Sequence, residues 1–140
     1  MNVKQVVDGF SVTEQIEADD VTRLADEGFK TIICNRPDGE AEGQPNAAEI
    51  QAGAEKSGLD FREVPVVSGQ LTPADIAAMS AALEELPRPI LAYCRTGTRS
   101  IQLWALAEGI HGMPHEEILA AGERAGYDLA PVVRWLEKNS

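Results

Sequence analysis

The segment Ala92-Tyr93-Cys94-Arg95-Thr96-Gly97-Thr98-Arg99-Ser100 gathers a thiol, two guanidinium groups and three aliphatic hydroxyls around a glycine. The apolar run before it, Pro89 to Tyr93, reads as a buried strand, and Ser100 to Ala107 reads as a helix. Cys94 is therefore expected where a strand gives way to a tight loop at a helix N-terminus. Such a loop aims several backbone N–H groups at one point, and the helix dipole adds partial positive charge there. Gly97 lets the loop curl, while Arg95 and Arg99 can each grip an oxyanion through two parallel hydrogen bonds. That field favours the thiolate, the form in which cysteine attacks an anionic substrate. The plain alternative is that Cys94 is a small buried hydrophobe. The glycine and the two arginines that follow it, at the spacing an anion cradle needs, argue against that.

A loop of this kind needs a parallel sheet behind it. Val3, Val6, Val7, Phe10 and Val12 form a weak extended pattern, with an edge strand expected near Phe10–Thr13. A helix capped by Asp19 or Asp20 follows, with Val21, Leu24 and Ala25 on its apolar face and Gly28 as its stop. Phe29 to Cys34 is the next strand, and the helix before it marks a crossover unit. Asn35 to Pro45 is a long polar loop at that strand's C-terminal end, where open α/β sheets bind ligands. Arg36 in this loop can help hold the anion, or can simply pair with Asp38 or Glu40.

Asn46 caps a helix to about Lys56, Leu59 to Val67 forms a strand, and Ser68-Gly69-Gln70 turns the chain. Thr72-Pro73-Ala74-Asp75 is a strong helix start, and Pro87 ends that helix. After the Cys94 strand, loop and helix come two more helices, near Pro114–Arg124 and Pro131–Lys138. The expected fold is a three-layer α/β domain spanning residues 1–140: a mostly parallel sheet of four to five strands flanked by helices.

Two cysteines in 140 residues make no disulfide framework, and nothing resembles a secretion signal or a membrane span. A reducing cytoplasm is the expected setting. Cys34 ends an apolar strand with no cradle after it and reads as buried filler; a resolving role would need its sulfur within disulfide reach of Cys94. The net charge of −11 argues against nucleic acid as partner and leaves the arginines of the loop as a local positive spot for a small anion. His111 and His115 lack the companions a metal site requires, so neither a metal nor a cofactor is expected. Oligomeric state is not readable from the sequence.

Three segments together resemble a known family. They are Val12-Thr13-Glu14-Gln15-Ile16, Asn35-Arg36-Pro37-Asp38-Gly39-Glu40 with Gln44-Pro45, and Tyr93 to Ser100. The chain is similar, from about Val3 to Ala107, to the phosphatase-like domain found alone or fused to beta-lactamase-like hydrolases, also labelled a sulfur transferase family. That family lies within the cysteine-dependent dual-specificity phosphatase-like superfamily. The resemblance implies Cys94 as nucleophile, Arg99 as the arginine that grips the oxyanion and Ser100 as the hydroxyl that steadies the thiolate. Arg95, Thr96, Gly97 and Thr98 would complete the cradle.

Two departures from the phosphatase pattern bear on the reaction. Phosphatases place five residues between the cysteine and the arginine, whereas four stand here. They also carry an acid in an upstream loop, but Val66 to Gln70 has none; Asp75 just beyond it is a candidate proton donor, equally well explained as a first-turn helix acid. Without such an acid, a poor alkoxide leaving group costs about a hundredfold or more in rate. The short loop is similar to that of rhodanese-type sulfurtransferases, whose cysteine carries a persulfide and needs no such acid. The leading expectation is a covalent cysteinyl mechanism on a phosphate ester. The alternatives are sulfur transfer from thiosulfate or glutathione persulfide, and a non-catalytic oxyanion-binding module.

Overall fold

The computed structural model of the chain describes residues 1–139. Five strands form one sheet: β1 (Lys4–Val7), β2 (Phe10–Thr13), β3 (Thr31–Cys34), β4 (Asp60–Glu63) and β5 (Ile90–Tyr93). Their spatial order is β1-β2-β5-β3-β4, with β1 antiparallel and every other pairing parallel. Six helices complete the described residues: α1 (Ala18–Asp26), α2 (Ala47–Lys56), α3 (Pro73–Glu85), α4 (Thr98–Ile110), α5 (His115–Ala125) and α6 (Ala130–Lys138). The mostly parallel, helix-flanked sheet is the one expected. None of these helices is long and apolar enough to cross a membrane.

The sheet divides the interior into two cores by the simple alternation of strand side chains. Along β5, Ile90 and Ala92 face one core while Leu91 and Tyr93 face the other. The first core is closed by residues of α3 to α6, among them Met79, Ile101, Trp104, Ile118 and Leu136. The second is closed by Val21 and Leu24 of α1 and Ile50 of α2. Trp104 is the largest side chain buried in the first core, and its ring stacks on Phe10 of β2 with centroids 6.0 Å apart.

Three local differences from the sequence reading have physical causes. Phe10–Thr13 is an interior strand rather than an edge, because the polar-patterned β1 folds back on it through the tight Asp8-Gly9 turn and becomes the edge itself. The strand expected over Leu59–Val67 is confined to Asp60–Glu63, since Pro65 has no N–H to offer. The backbone beyond it still follows β3 through Val64 N–H to the Cys34 carbonyl (2.8 Å) and Val66 N–H to the Asn35 carbonyl (3.1 Å). Helix α1 is entered at Glu17, whose N–H donates to the Asp20 carboxylate at 2.8 Å, so Asp20 supports the start from inside the first turn.

The register aligns Thr13, Tyr93 and Cys34 at one level, so β2, β5 and β3 end together and release their loops onto a common edge. Trp104→Ala should lower the unfolding free energy by about 3–5 kcal/mol, read as an earlier midpoint in a denaturant titration. A loss under ~1 kcal/mol would show that the core on this face does not depend on that ring.

Candidate active site

Cys94 follows β5 directly, and Gly97 is the N-cap of α4 in a left-handed conformation, φ 90°. That conformation turns the Gly97 N–H inward, where it donates to Cys94 Sγ at 3.1 Å. The helix begins at Thr98, two residues earlier than the apolar pattern suggests, so Arg99 and Ser100 lie in its first turn. Thr96 and Thr98 pair their hydroxyls at 2.9 Å along the exposed rim. Above the loop lies a cleft of about 420 Å³ whose walls include Arg95, Thr96, Thr98, Arg99 and Gln102 on one side and Val66 to Gly69 on the other.

The Cys94 side chain is fully buried. The loop closes around it, and Arg99, which borders the cleft, interacts electrostatically with the sulfur. Arg99 is 7 % exposed. Its Nη1 donates to the Val66 carbonyl and to Glu40 Oε2, both at 2.8 Å, and its Nη2 donates to Glu40 Oε1 at 2.8 Å. This two-pronged grip by Glu40, with a smaller contribution from the nearby Cys94 sulfur, raises the Arg99 pKa above its ordinary value.

Glu40 also holds Arg36, whose Nε donates to Glu40 Oε1 at 2.9 Å and whose Nη1 donates to Gln15 Oε1 at 3.0 Å. One carboxylate thus ties two buried arginines together. The Arg99 bond, with Arg36 behind it, holds the Glu40 carboxyl below the usual carboxylate range despite partial burial. Of the two roles open to Arg36, the structure shows the pairing with Glu40; Arg36 does not border the cleft. The loop that presents Glu40 is braced from within. Gln44 Oε1 accepts the Glu40 N–H at 3.1 Å, Gln44 Nε2 donates to the Pro37 carbonyl at 2.9 Å, and Asp38 accepts the Ala47 N–H at 2.8 Å.

Ser100 Oγ is buried and has no hydrogen-bond partner among the described residues. Asp75 lies outside the cleft walls: its carboxylate accepts the Thr72 N–H at 3.0 Å in a capping box that starts α3. Cys34 packs in the second core beside Tyr93, and its S–H donates to the Arg36 carbonyl at 3.3 Å. Burial pushes its pKa up, as suits an inert thiol. His111 caps the end of α4 and His115 begins α5, and no group of three metal-ligating side chains assembles among the described residues.

Two contributors are invisible to linear spacing. Glu40 is named by its sequence only as a partner for Arg36, and its grip on Arg99 joins residues 59 positions apart. Tyr127, which donates to the Thr96 carbonyl at 2.7 Å, comes from the turn between α5 and α6. Only the N-R-P-D-G-E segment, with its acid after an arginine, carried a signal for the first.

Glu40→Gln should leave two buried guanidinium groups without a counter-charge and cost about 2 kcal/mol after allowance for its partial exposure. Because the folded pKa of Glu40 is depressed, its stabilisation is present above the ordinary value of 4.5 and fades as pH falls through the lower folded value. Stability-against-pH curves of the two proteins should therefore separate at neutral pH and converge in acid. Parallel curves would show that the carboxylate charge is not what holds the arginines.

Residues 2–110 match the family described as "Beta-lactamase hydrolase-like protein, phosphatase-like domain". The whole chain aligns at 36% identity with the beta-lactamase hydrolase-like protein of Xylella fastidiosa strain 9a5c and at 34% with that of Agrobacterium fabrum, and it spans 33% of the length of each. Among solved structures, a protein of Neisseria meningitidis Z2491 described as a "putative phosphatase" superposes with a TM-score of 0.87 at 33% identity, covering 100% of this chain and 99% of its own. The catalytic core of the Saccharomyces cerevisiae PP-IP phosphatase Siw14 shares the fold, with a TM-score of 0.67 at 17% identity over 99% of this chain and 93% of its own. The chain belongs to the phosphatase-like domain family of beta-lactamase hydrolase-like proteins.

Proposed function

We propose that the domain is a cysteine-dependent transferase or hydrolase of phosphatase type in which the Cys94 thiolate is the nucleophile. The observation that carries this reading is that the Gly97 N–H donates to Cys94 Sγ at the start of α4, where Arg99 interacts electrostatically with the sulfur and lines a cleft with Arg95, Thr96 and Thr98. A phosphate ester seated there would offer phosphorus to the sulfur and its oxygens to the loop amides and Arg99. As the S–P bond forms, the P–O bond to the leaving group breaks and the alkoxide or aryloxide departs with that electron pair, taking its proton from water. Water then attacks the cysteinyl-phosphate and releases phosphate and the thiolate. Arg95, Thr96 and Thr98 at the rim would meet the outer oxygens, and the unpartnered Ser100 hydroxyl would stabilise the thiolate as it is released.

A specific observation supports sulfur transfer as a second reading. Among the described residues the walls of the cleft carry no carboxyl group: Asp75 is engaged in its cap, and Glu40 is held ionised by two arginines. No proton donor stands ready for an alkoxide, whereas sulfite or a thiolate leaves without one. In that reaction Cys94 attacks the sulfane sulfur of thiosulfate or glutathione persulfide, the S–S bond breaks toward the departing anion, and Cys94 keeps one sulfur as a persulfide.

Mass measurement of the intact protein separates the two readings. A persulfide on Cys94 after thiosulfate or glutathione persulfide supports sulfur transfer. Hydrolysis of an aryl phosphate, whose leaving group needs little acid, supports the phosphatase. Cys94→Ser should abolish both, and oxyanion binding with neither reaction would identify a binding module. Arg99→Ala should lower either turnover by about a hundredfold or more, and near-normal turnover in that variant would overturn its assigned role.

A further inference from the structure

The peptide unit that faces the sulfur is held from behind. A trans peptide is planar, so its N–H and C=O point in opposite directions. The unit joining Thr96 to Gly97 sends its N–H to Cys94 Sγ at 3.1 Å and its carbonyl outward to the Tyr127 hydroxyl, which donates to it at 2.7 Å. The same phenol oxygen accepts a hydrogen bond from Lys4 Nζ at 3.0 Å. Three donors thus run in one direction, from ammonium to phenol to peptide to sulfur, over residues separated by up to 123 positions in the chain.

The fit between Tyr127 and the loop is close. A Cβ placed on Gly97 would meet the Tyr127 hydroxyl at 2.3 Å, so the hydroxyl occupies the space beside that glycine. Gly126, left-handed at φ 89°, ends α5, and the Tyr127 N–H returns to the Gly122 carbonyl at 2.8 Å, which fixes where the ring begins. Lys4 comes from β1, and its charge also acts on Glu14, whose carboxylate is held by Thr13 and the Asn2 N–H. Neither Lys4 nor Tyr127 borders the cleft, and Tyr127 lies beyond the residues 2–110 that match the family.

We propose that Lys4 and Tyr127 are positioning residues for the Cys94 reaction, acting as a hydrogen-bonded relay that keeps the Gly97 N–H on the sulfur and polarises it from outside the cleft. The proposal rests on Cys94 being the nucleophile. Its physical basis is twofold. Glycine adopts alternative backbone conformations at little cost, so a peptide ending at Gly97 needs an anchor on its carbonyl to keep its N–H inward. Hydrogen bonds in a chain also strengthen one another, by about 10–30% per bond, and the ammonium at the far end makes the last donor a better one for a negative sulfur. The relay acts on the sulfur through the Gly97 N–H without placing another cation where the substrate must sit.

The test compares Tyr127→Phe, Lys4→Gln and Lys4→Arg with the unsubstituted protein by the rate of iodoacetamide alkylation, followed on the Cys94 peptide by mass spectrometry so that Cys34 does not contribute. Tyr127→Phe keeps the ring but removes the link, and should slow alkylation at neutral pH by about fivefold and displace the rate-against-pH profile upward. Lys4→Gln should show a smaller effect in the same direction, and Lys4→Arg should restore the rate. The Gly97 amide proton, followed by NMR, should shift in Tyr127→Phe and Lys4→Gln but not in Lys4→Arg. Should Tyr127→Phe fail to fold, the two Lys4 variants decide the matter. Unchanged rates and amide shifts with a reactive Cys94, or a Lys4→Arg variant as slow as Lys4→Gln, would overturn the relay alone. An inert Cys94 in the unsubstituted protein would overturn the nucleophile reading and the relay with it.

Discussion

Two arginines, 5 % and 7 % exposed, sit side by side at the C-terminal edge of the sheet, and they can do so only because one carboxylate lies between them. Burying a guanidinium without a counter-charge is costly, and burying two would drive the loops apart. Glu40 neutralises both, and in doing so sets the plane of the Arg99 guanidinium. The Val66 carbonyl, delivered by the segment after β4, takes one more of its donors. Arg99 also lines the cleft and interacts with the Cys94 sulfur. The ion pair that lets the loop be buried thus also fixes where its arginine sits.

The same edge explains why so many elements meet there. Because β2, β5 and β3 end at one level, the segments after them, carrying Gln15, Cys94 and Arg36, emerge as neighbours. Gln15 donates its N–H to the Arg95 carbonyl at 3.3 Å and accepts from Arg36 through its side chain, so it ties the segment after β2 to both other loops. The Asn35 N–H donates to the Tyr93 carbonyl at 2.8 Å, holding the start of the Glu40 loop against the strand that delivers the sulfur. Parallel strands make this convergence possible, since every crossover returns the chain to the same edge.

Much of this was legible in the linear sequence, and what was not has a common cause. The strand–loop–helix around Cys94 was readable because each signal is local: an apolar run, then Gly97, then a helical repeat. The interior position of β2 was hidden, since whether a four-residue apolar strand is an edge depends on the short β1 hairpin that covers it. The role of Asp75 was ambiguous because an acid at the third position of a helix and an acid poised over a substrate look alike in sequence; the structure shows its capping bond to the Thr72 N–H. Glu40 and Tyr127 reach the site across 59 and 31 positions, and no periodicity or spacing rule reports contacts of that range.

The cleft is also unusually lopsided in its chemistry. One wall is the cationic loop, and the opposite wall, from Val66 to Gly69 with Leu71, offers only aliphatic, hydroxyl and backbone groups. A bound molecule would therefore be recognised almost wholly by its anionic end, with little to interrogate what is attached to it. Under the proposed cysteine chemistry, selection among candidates would fall to intrinsic chemical lability, to how readily a bond breaks rather than to the shape of what departs.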